Sequence, residues 1–405
     1  MSDRQKRKRI FHVNMLHQWH RPSHTSYLAE EVVHEEDDDE DIPLWDGGES
    51  DTQPVINKEL SSEQKRELEN LLKEFSDVLK DEPGRTTIAE HTLETGAATP
   101  IRQPPYRLPH AYRDSSERVG KKMEVEGIIE QSSSEWASLI VLKKKDNSLR
   151  LCVDYRKLNG LTQMDAYPMQ RIDDLIDKLG KAKYITTLDL TRGYWQVPLK
   201  PEARSKTAFV TPFGLYQFTV MSFGLSGAPA TFQRMMDNLT WDLSESAGAY
   251  LDDLVIYSST WKDHRRQVHA VLSRLRGAGL TAKPRKCQFG MSKCIYLGHV
   301  VGSGTVSPDP SKLEAIQSFP IPTTKKQVRA FLGLTGYYRR FIPDFASVAT
   351  PLSDLTRKSA PEKVVWVTQC DRAFTELKRR LCSEPILKSP DFDCPFVLQT
   401  DASDR

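Results

Sequence analysis

Residues 250–257 read Tyr-Leu-Asp-Asp-Leu-Val-Ile-Tyr, which places two adjacent carboxylates inside an apolar, strand-forming stretch. A buried carboxylate is costly unless it is paired or coordinated, so this placement indicates a bound cation. Successive residues on a straight strand point to opposite faces, so Asp252 and Asp253 can reach one site only if the chain turns there. We therefore predict a hairpin with strands over about 247–250 and 254–257 and the acid pair at its tip.

A third carboxylate lies in a similar setting. Residues 185–190 read Ile-Thr-Thr-Leu-Asp-Leu, and the hairpin can present its acids to Asp189 on a neighbouring strand. Three hard oxygen ligands select magnesium or manganese. Two such ions, about 3.5–4 Å apart, can activate a 3′-hydroxyl and stabilise a pyrophosphate leaving group. For either segment alone, acids at a solvated turn are an equal alternative; the two together favour a metal site.

The composition is that of an ordinary globular protein. The 405 residues are 38% hydrophobic and 28% charged, enough for two or three compact units. No apolar run is long enough to span a membrane, and the basic N-terminus lacks the apolar stretch of a secretory signal. Six scattered cysteines suit a reducing, intracellular compartment, cytoplasmic or nuclear. A zinc site at Cys287, Cys294 and His299 is an alternative whose spacing fits no usual ligand pattern.

The net charge of +2 conceals an asymmetry. Residues 30–60 hold thirteen acids and one lysine, a net of −12, so the remainder carries +14. Residues 321–380 alone carry +7, from twelve basic and five acidic residues. A basic body suits a polyanionic partner such as a nucleic acid, although solvated surface charge explains the numbers equally well.

The order of elements indicates a mixed α/β (α+β), multidomain chain. Residues 1–60 lack apolar periodicity and are expected to be disordered. A helix should begin at the capping box of Ser61 and Gln64, and residues 94–112 should be extended. Further predicted strands cover 137–142, 149–153, 364–367 and 396–400. Further predicted helices cover 172–179, a stretch after Pro229, 312–319 and 325–338.

Several motifs together resemble one family. Tyr250-Leu-Asp-Asp253 resembles the Tyr-x-Asp-Asp box of reverse transcriptases, and Leu188-Asp189-Leu190 resembles their first carboxylate motif. Residues 331–341, Phe-Leu-Gly-Leu-Thr-Gly-Tyr-Tyr-Arg-Arg-Phe, are similar to the early thumb of gypsy-type retrotransposons. Residues 193–199 continue the first carboxylate motif, and three further stretches agree in order and spacing: 149–159 of the fingers, 222–233 near the template, and 296–299 of the primer grip.

This resemblance implies a right-hand polymerase fold with fingers, palm and thumb, plus a connection domain. The expected divisions are a disordered linker at 1–60, a leader helix at 61–93, fingers and palm at 94–300, a thumb at 301–358, a connection at 359–392 and the start of a ribonuclease H domain at 393–405.

The resemblance also implies roles for individual residues. Cations at Lys144 and Arg150 would lie over the incoming triphosphate, where they offset charge on the transferred phosphate. Tyr194 would lie beneath the deoxyribose and exclude a 2′-hydroxyl, and Phe223 would pack at its sugar side. Plain core roles remain alternatives for both rings.

Contacts to template and primer are implied at four further positions. Gly227 and Pro229 would let the backbone approach the template, and otherwise are ordinary turn residues. Leu297 and Gly298 would contact the primer.

The implied function is RNA-directed DNA polymerisation with two Mg²⁺ or Mn²⁺ ions, held by Asp189, Asp252 and Asp253. The partners would be a primed RNA or DNA template and deoxynucleoside triphosphates, with no membrane. The alternatives are an inactive polymerase-fold relic that binds nucleic acid, and a protein assigned to ribonuclease H through longer relatives. Asp401 resembles the first ligand of that hydrolase, but we expect no ribonuclease H activity from this chain alone.

Overall fold

The computed structural model describes residues 53–105, 110–145, 148–383 and 387–388. The strands are β1 (Val55–Ile56), β2 (Ile129–Gln131), β3 (Ser138–Lys145), β4 (Ser148–Asp154), β5 (Tyr184–Asp189), β6 (Phe209–Thr211), β7 (Gly214–Phe218), β8 (Ala247–Tyr250), β9 (Asp253–Ser258), β10 (Gln288–Met291), β11 (Cys294–Tyr296), β12 (His299–Gly302), β13 (Thr305–Pro308) and β14 (Leu387–Lys388). The α-helices are α1 (Ser62–Glu74), α2 (His110–Val125), α3 (Arg156–Asn159), α4 (Ile172–Gly180), α5 (Pro201–Arg204), α6 (Ala228–Thr240), α7 (Trp261–Gly277), α8 (Pro310–Ser318), α9 (Lys325–Tyr337), α10 (Phe345–Asp354) and α11 (Thr368–Cys382). The predictions for residues 1–52, for the strand at 396–400 and for Asp401 lie outside the described residues. The expected disorder is wrong for residues 53–60, because β1 pairs with β10 and Leu60 is buried.

Helix α1 begins where the sequence predicts. Ser61 caps it by accepting a hydrogen bond from the backbone of Gln64, whose side chain accepts one from the backbone of Ser61 in return. The capping box is confirmed, and the side chains of Leu68, Leu71 and Leu72 are buried. The apolar spacing therefore lays one face of this helix on the core.

The central sheet has the strand order β1-β10-β5-β9-β8. Strands β5, β9 and β8 are antiparallel neighbours, and β1 joins β10 in parallel. A second sheet, β2-β7-β6-β3-β4, contains the long β3–β4 hairpin, and a third has the order β11-β12-β13-β14. The predicted hairpin of β8 and β9 is confirmed and lies at one edge of the central sheet.

Two hydrophobic cores underlie these sheets. The first joins helices α1, α6 and α7 to the central and second sheets. The second joins helix α4 and helices α8 to α11 to the third sheet and the far face of β5 and β9. The central sheet is thus covered by helices on both faces, which holds in place the strand ends that carry Asp189 and Asp253.

Two predicted elements are wrong. Residues 364–367 form no strand; an isolated bridge from Lys363 to Thr324 precedes helix α11. The residues alternate as in a strand, since Val364 and Trp366 pack on the second core while Val365 is 65% exposed. Within the described residues, however, their pairing with another segment goes no further than the bridge at Lys363 and the bond from the amide of Val364 to the carbonyl of Thr323. Residues 94–112 are not extended throughout, because helix α2 begins at residue 110.

The described helices include none that is both long and apolar enough to cross a membrane.

Candidate active site

The hairpin of β8 and β9 turns at Leu251, one residue before the acid pair. Leu251 has a φ of +55°, in the left-handed region that a side chain rarely occupies. This turn makes Tyr250 the partner of Asp253 across the hairpin, and Asp253 is in turn the partner of Asp189 on β5. Directly opposed residues in antiparallel strands project from the same face, so Asp189 and Asp253 share one. The backbone carbonyl of Asp252 accepts a hydrogen bond from the amide of Leu190 at 3.2 Å, which keeps Asp252 beside Asp189 and Asp253.

The carboxylates destabilise one another in the absence of a cation. Burial, together with the charge of Asp189, raises the pKa of Asp252 above its ordinary value. Burial and the charges of Asp252 and Asp189 likewise raise the pKa of Asp253. Both causes disfavour the ionised form, so this cluster favours binding of positive charge.

That charge is supplied by Lys286, which the sequence analysis missed. Its Nζ lies 2.6 Å from Oδ2 of Asp189. Burial opposes the charged ammonium, but the attraction and hydrogen bond of Asp189 outweigh it, so the pKa of Lys286 is raised. Within the described part of the chain, no three or more histidine, cysteine or acidic side chains are grouped so that they could hold a metal ion. Asp189 instead directs an oxygen at the ammonium.

Tyr194 and Phe223 pack against each other at the turn that approaches Asp252. Tyr194 belongs to a 3₁₀ turn, Gly193–Gln196, that follows β5. Its ring centroid is 5.0 Å from that of Phe223, and the ring is 7% exposed. A Cβ on Gly193 would lie 3.0 Å from the Cβ of Asp252, so only glycine lets this turn approach the hairpin so closely.

Gly227 and Pro229 lie at the start of helix α6, which packs against strand β8 of the hairpin. Gly227 is the N-cap and Pro229 lies in the first turn, where its missing N–H costs no hydrogen bond. A Cβ on Gly227 would lie 3.2 Å from the ring of His91. His91 is buried, and its Nδ1 lies 2.8 Å from Oγ1 of Thr231 on the same helix. Sequence reasoning missed His91, since a lone histidine in an irregular segment carries no pattern.

Leu297 and Gly298 form the turn between β11 and β12. Their φ values are +45° and +69°, so the turn is left-handed at both residues. Tyr296, immediately before it, donates a hydrogen bond from its hydroxyl to the backbone carbonyl of Asp253 at 3.2 Å. The turn is thereby connected to the carboxylate hairpin.

Lys144 and Arg150 lie in the hairpin of β3 and β4. Lys144 is paired with Leu149, and Arg150 with Lys143. The directions of their side chains lie outside what the structure describes, so their approach to the carboxylates stays a prediction.

Residues 142–301 match the family described as "Reverse transcriptase (RNA-dependent DNA polymerase)". Residues 366–405 match the family described as "RNase H-like domain found in reverse transcriptase".

Two similar curated proteins are polyproteins of Drosophila melanogaster. The retrovirus-related Pol polyprotein from transposon 297 is 39% identical over 357 residues, which are 85% of this chain and 33% of the relative. The corresponding polyprotein from transposon gypsy is 37% identical over 349 residues, 82% of this chain and 34% of the relative. The chain spans about a third of the length of these relatives.

One similar solved structure is the foamy viral protease-reverse transcriptase in complex with an RNA/DNA hybrid. Its TM-score is 0.74 at 22% identity, and the match covers 81% of this chain and 45% of that chain. At this identity the likeness shows a shared fold.

Proposed function

Because the chain belongs to the reverse transcriptases of gypsy-type LTR retrotransposons, we propose that it copies a primed RNA or DNA template by adding deoxynucleotides to a primer 3′-hydroxyl. The observation that carries the proposal is the pairing of Asp189 with Asp253, beside Asp252, on one face of the central sheet. The raised pKa values of Asp252 and Asp253 and the contact of Lys286 with Asp189 support the assignment of positive charge to this face.

Reverse transcriptases use divalent metal ions, and the donor set here suits them. We assign two Mg²⁺ or Mn²⁺ ions to Asp189, Asp252 and Asp253, whose oxygens are the hard ligands these ions prefer. Bound divalent ions would supply the positive charge that activates the primer hydroxyl and stabilises the leaving pyrophosphate. For Asp189 to serve as a ligand, its oxygen must leave the ammonium of Lys286.

The nucleotide is assigned to the space beside Tyr194. The ring of Tyr194 would exclude a 2′-hydroxyl, and Phe223, 5.0 Å away between ring centroids, would hold that ring in place. Lys144 and Arg150 are proposed to contact the triphosphate as positive charges.

Template and primer are assigned to the surfaces on either side of the hairpin. Gly227 and Pro229 would face the template at the start of α6, and Leu297 and Gly298 would contact the primer end. The foamy viral relative of the same fold is described with an RNA/DNA hybrid. The excess of basic residues at 321–380 suits the same kind of partner.

The proposal keeps the divisions that the family implies, with fingers and palm at 94–300, thumb at 301–358 and connection at 359–392. It also places the chain in a reducing compartment inside the cell, where the free thiols of its described cysteines would persist.

Primer extension on an RNA template tests the function. We expect Asp252→Asn to abolish extension while template binding and folding persist, because the change removes charge from the ion site and leaves the shape nearly unchanged. Asp174→Asn, which neutralises an exposed acid on α4, is the matched control and should extend normally. Extension by Asp252→Asn above a few per cent of wild type would contradict the assignment. Wild-type protein that binds template and never extends a primer would be the inactive relic instead.

A further inference from the structure

Gln233 lies on helix α6 with its side chain fully buried against the carboxylate hairpin. Its Oε1 accepts a hydrogen bond from the amide of Leu251 at 2.8 Å. Its Nε2 donates to the backbone carbonyl of Ala249, also at 2.8 Å. One side-chain amide therefore binds the hairpin on both sides of Tyr250.

The hairpin needs such a support at this point. Leu251 has a φ of +55°, a strained conformation for a residue with a branched side chain. Its amide points inward, where an unpaired donor would cost about 1–3 kcal/mol. The hydrogen bond to Gln233 satisfies that donor in the left-handed turn, and the next two residues are Asp252 and Asp253.

The orientation of the Gln233 amide is itself constrained. Its Nε2 donates a second hydrogen bond to Oδ1 of Asp237, one helical turn further along α6, at 2.8 Å. The hydroxyl of Tyr167 and the side chain of Gln170 also donate to Asp237. An acceptor must face Leu251 and a donor must face Ala249 and Asp237, so a single orientation of the amide satisfies the network.

Gly193, in the turn after β5, lies between Asp252 and the same helix. An ideal Cβ on Gly193 would lie 3.0 Å both from the Cβ of Asp252 and from the ring of Phe232, the residue before Gln233. A small displacement of the hairpin relative to α6 would therefore change the positions of the carboxylates.

We propose that Gln233 is a positioning residue, which fixes the left-handed turn at Leu251 and so holds Asp252 and Asp253 where they share a cation with Asp189. This rests on the proposed function for its kinetic consequence. Its structural consequence, a weaker response of the fold to divalent ions, does not depend on polymerase activity.

The test compares Gln233→Met, which keeps the length of the side chain and loses the amide, with wild type. Thr240→Val is the matched control, because it removes a buried hydrogen bond to the carbonyl of Met236, at the end of the same helix. We expect Gln233→Met to lose about 100-fold in kcat, the cost of small misplacement of reacting groups. The KM for primer–template should stay within about threefold, and the half-saturating Mg²⁺ concentration should rise.

Thermal unfolding with and without Mn²⁺ provides the readout that needs no catalysis. The Mn²⁺-induced rise in Tm should shrink in Gln233→Met and persist in Thr240→Val. A Gln233→Met protein with wild-type kcat and an unchanged Mn²⁺ response would overturn the proposal, as would a change confined to the primer KM. If Gln233→Met is insoluble, Gln233→Asn decides by the same readouts, since its amide is one methylene shorter and cannot reach both Leu251 and Ala249. A wild type that responds to Mn²⁺ but does not extend primers contradicts the proposed function and leaves the role of Gln233 decided by the Tm comparison.

Discussion

The ammonium of Lys286 lies against Asp189, where the proposed reaction requires a divalent ion. Asp189 and Asp253 are the ends of paired strands and cannot move apart without breaking the sheet. The local charge is therefore balanced by a side chain that can leave. At the scale of single residues, the site combines a rigid anionic face with one movable cation.

We expect Lys286→Met to destabilise the metal-free protein by about 1 kcal/mol, because the half-exposed ammonium offsets repulsion among the three carboxylates. Without the Lys286 ammonium competing for Asp189, a divalent ion should bind more tightly. The rise in Tm on adding Mg²⁺ should therefore be larger than in wild type. Differential scanning fluorimetry with and without Mg²⁺ measures both effects. Lys293→Met, at an exposed lysine, should show neither effect. An Mg²⁺ response no larger than that of wild type would contradict competition by Lys286.

The ring of Tyr194 is held between Phe223 and Phe232, with centroid distances of 5.0 and 5.5 Å. We expect Tyr194→Val to lower the preference for deoxyribonucleotides over ribonucleotides by about 10- to 100-fold, because discrimination is steric and shrinking the ring admits a 2′-hydroxyl. Single-nucleotide incorporation with paired substrates measures it. Tyr184→Val, at the opposite end of β5, is the control and should leave the preference unchanged. An unchanged preference in Tyr194→Val would mean that Tyr194 is a core aromatic only.

At the scale of elements, helix α9 is connected to the turn between β11 and β12. The hydroxyl of Tyr337 donates to the carbonyl of Leu297 at 2.6 Å, and that of Tyr338 donates to the carbonyl of Gly298 at 2.7 Å. Tyr296 joins the turn to Asp253. A helix of the proposed thumb and the carboxylate hairpin thus hold one left-handed turn from two sides.

Replacing both thumb tyrosines by phenylalanine removes these two hydroxyls and keeps the rings. We expect Tyr337→Phe with Tyr338→Phe to lower the free energy of unfolding by about 1–2 kcal/mol, at about 1 kcal/mol for each lost hydrogen bond. The KM for primer–template should rise several-fold with a smaller change in kcat, because the turn is assigned to primer binding rather than to chemistry. Steady-state extension assays separate the two parameters. Tyr257→Phe removes a hydroxyl that donates to the carbonyl of Ser244, away from the turn, and should leave the primer KM unchanged. A fall in kcat alone would contradict the assignment of the turn to the primer.

At the scale of the whole molecule, residues 53–93 pack into the central sheet and the first core. Strand β1 extends the central sheet, and Phe75 is completely buried in the first core. Glu67 on α1 binds the α7 residues Arg265 and Trp261, at 2.6 and 2.7 Å. The reverse transcriptase family model matches residues 142–301, so these contacts lie before the matched region.

We expect a chain that begins at residue 94 to be insoluble or to lack a cooperative thermal transition. It would lose several fully buried apolar side chains, each contributing about 2–3 kcal/mol, which together reach the whole stability of a typical domain. A chain that begins at residue 53 is the control and should unfold cooperatively. Circular dichroism melts of the two chains measure this. Cooperative unfolding of the shorter chain would mean that the segment is an accessory.

The sequence by itself determined the family, the mixed α/β fold and the existence of the carboxylate hairpin. These follow from local patterns: acids inside apolar strands, a capping box at Ser61 and Gln64, and apolar residues at helical spacing along α1 and α6. Such patterns lie within short stretches of sequence, so they can be recognised without knowing which distant residues are in contact.

The tertiary structure alone decided which side chains support that hairpin. Lys286 reaches Asp189 across 97 positions of sequence, and Gln233 reaches Leu251 from a neighbouring helix. The same is true of residues 364–367, whose strand-like alternation forms no strand because, in the described part of the chain, their pairing with another segment ends at Lys363 and Val364. A hydrogen bond or ion pair between distant segments leaves no periodicity in either segment, so only the folded chain brings its partners together.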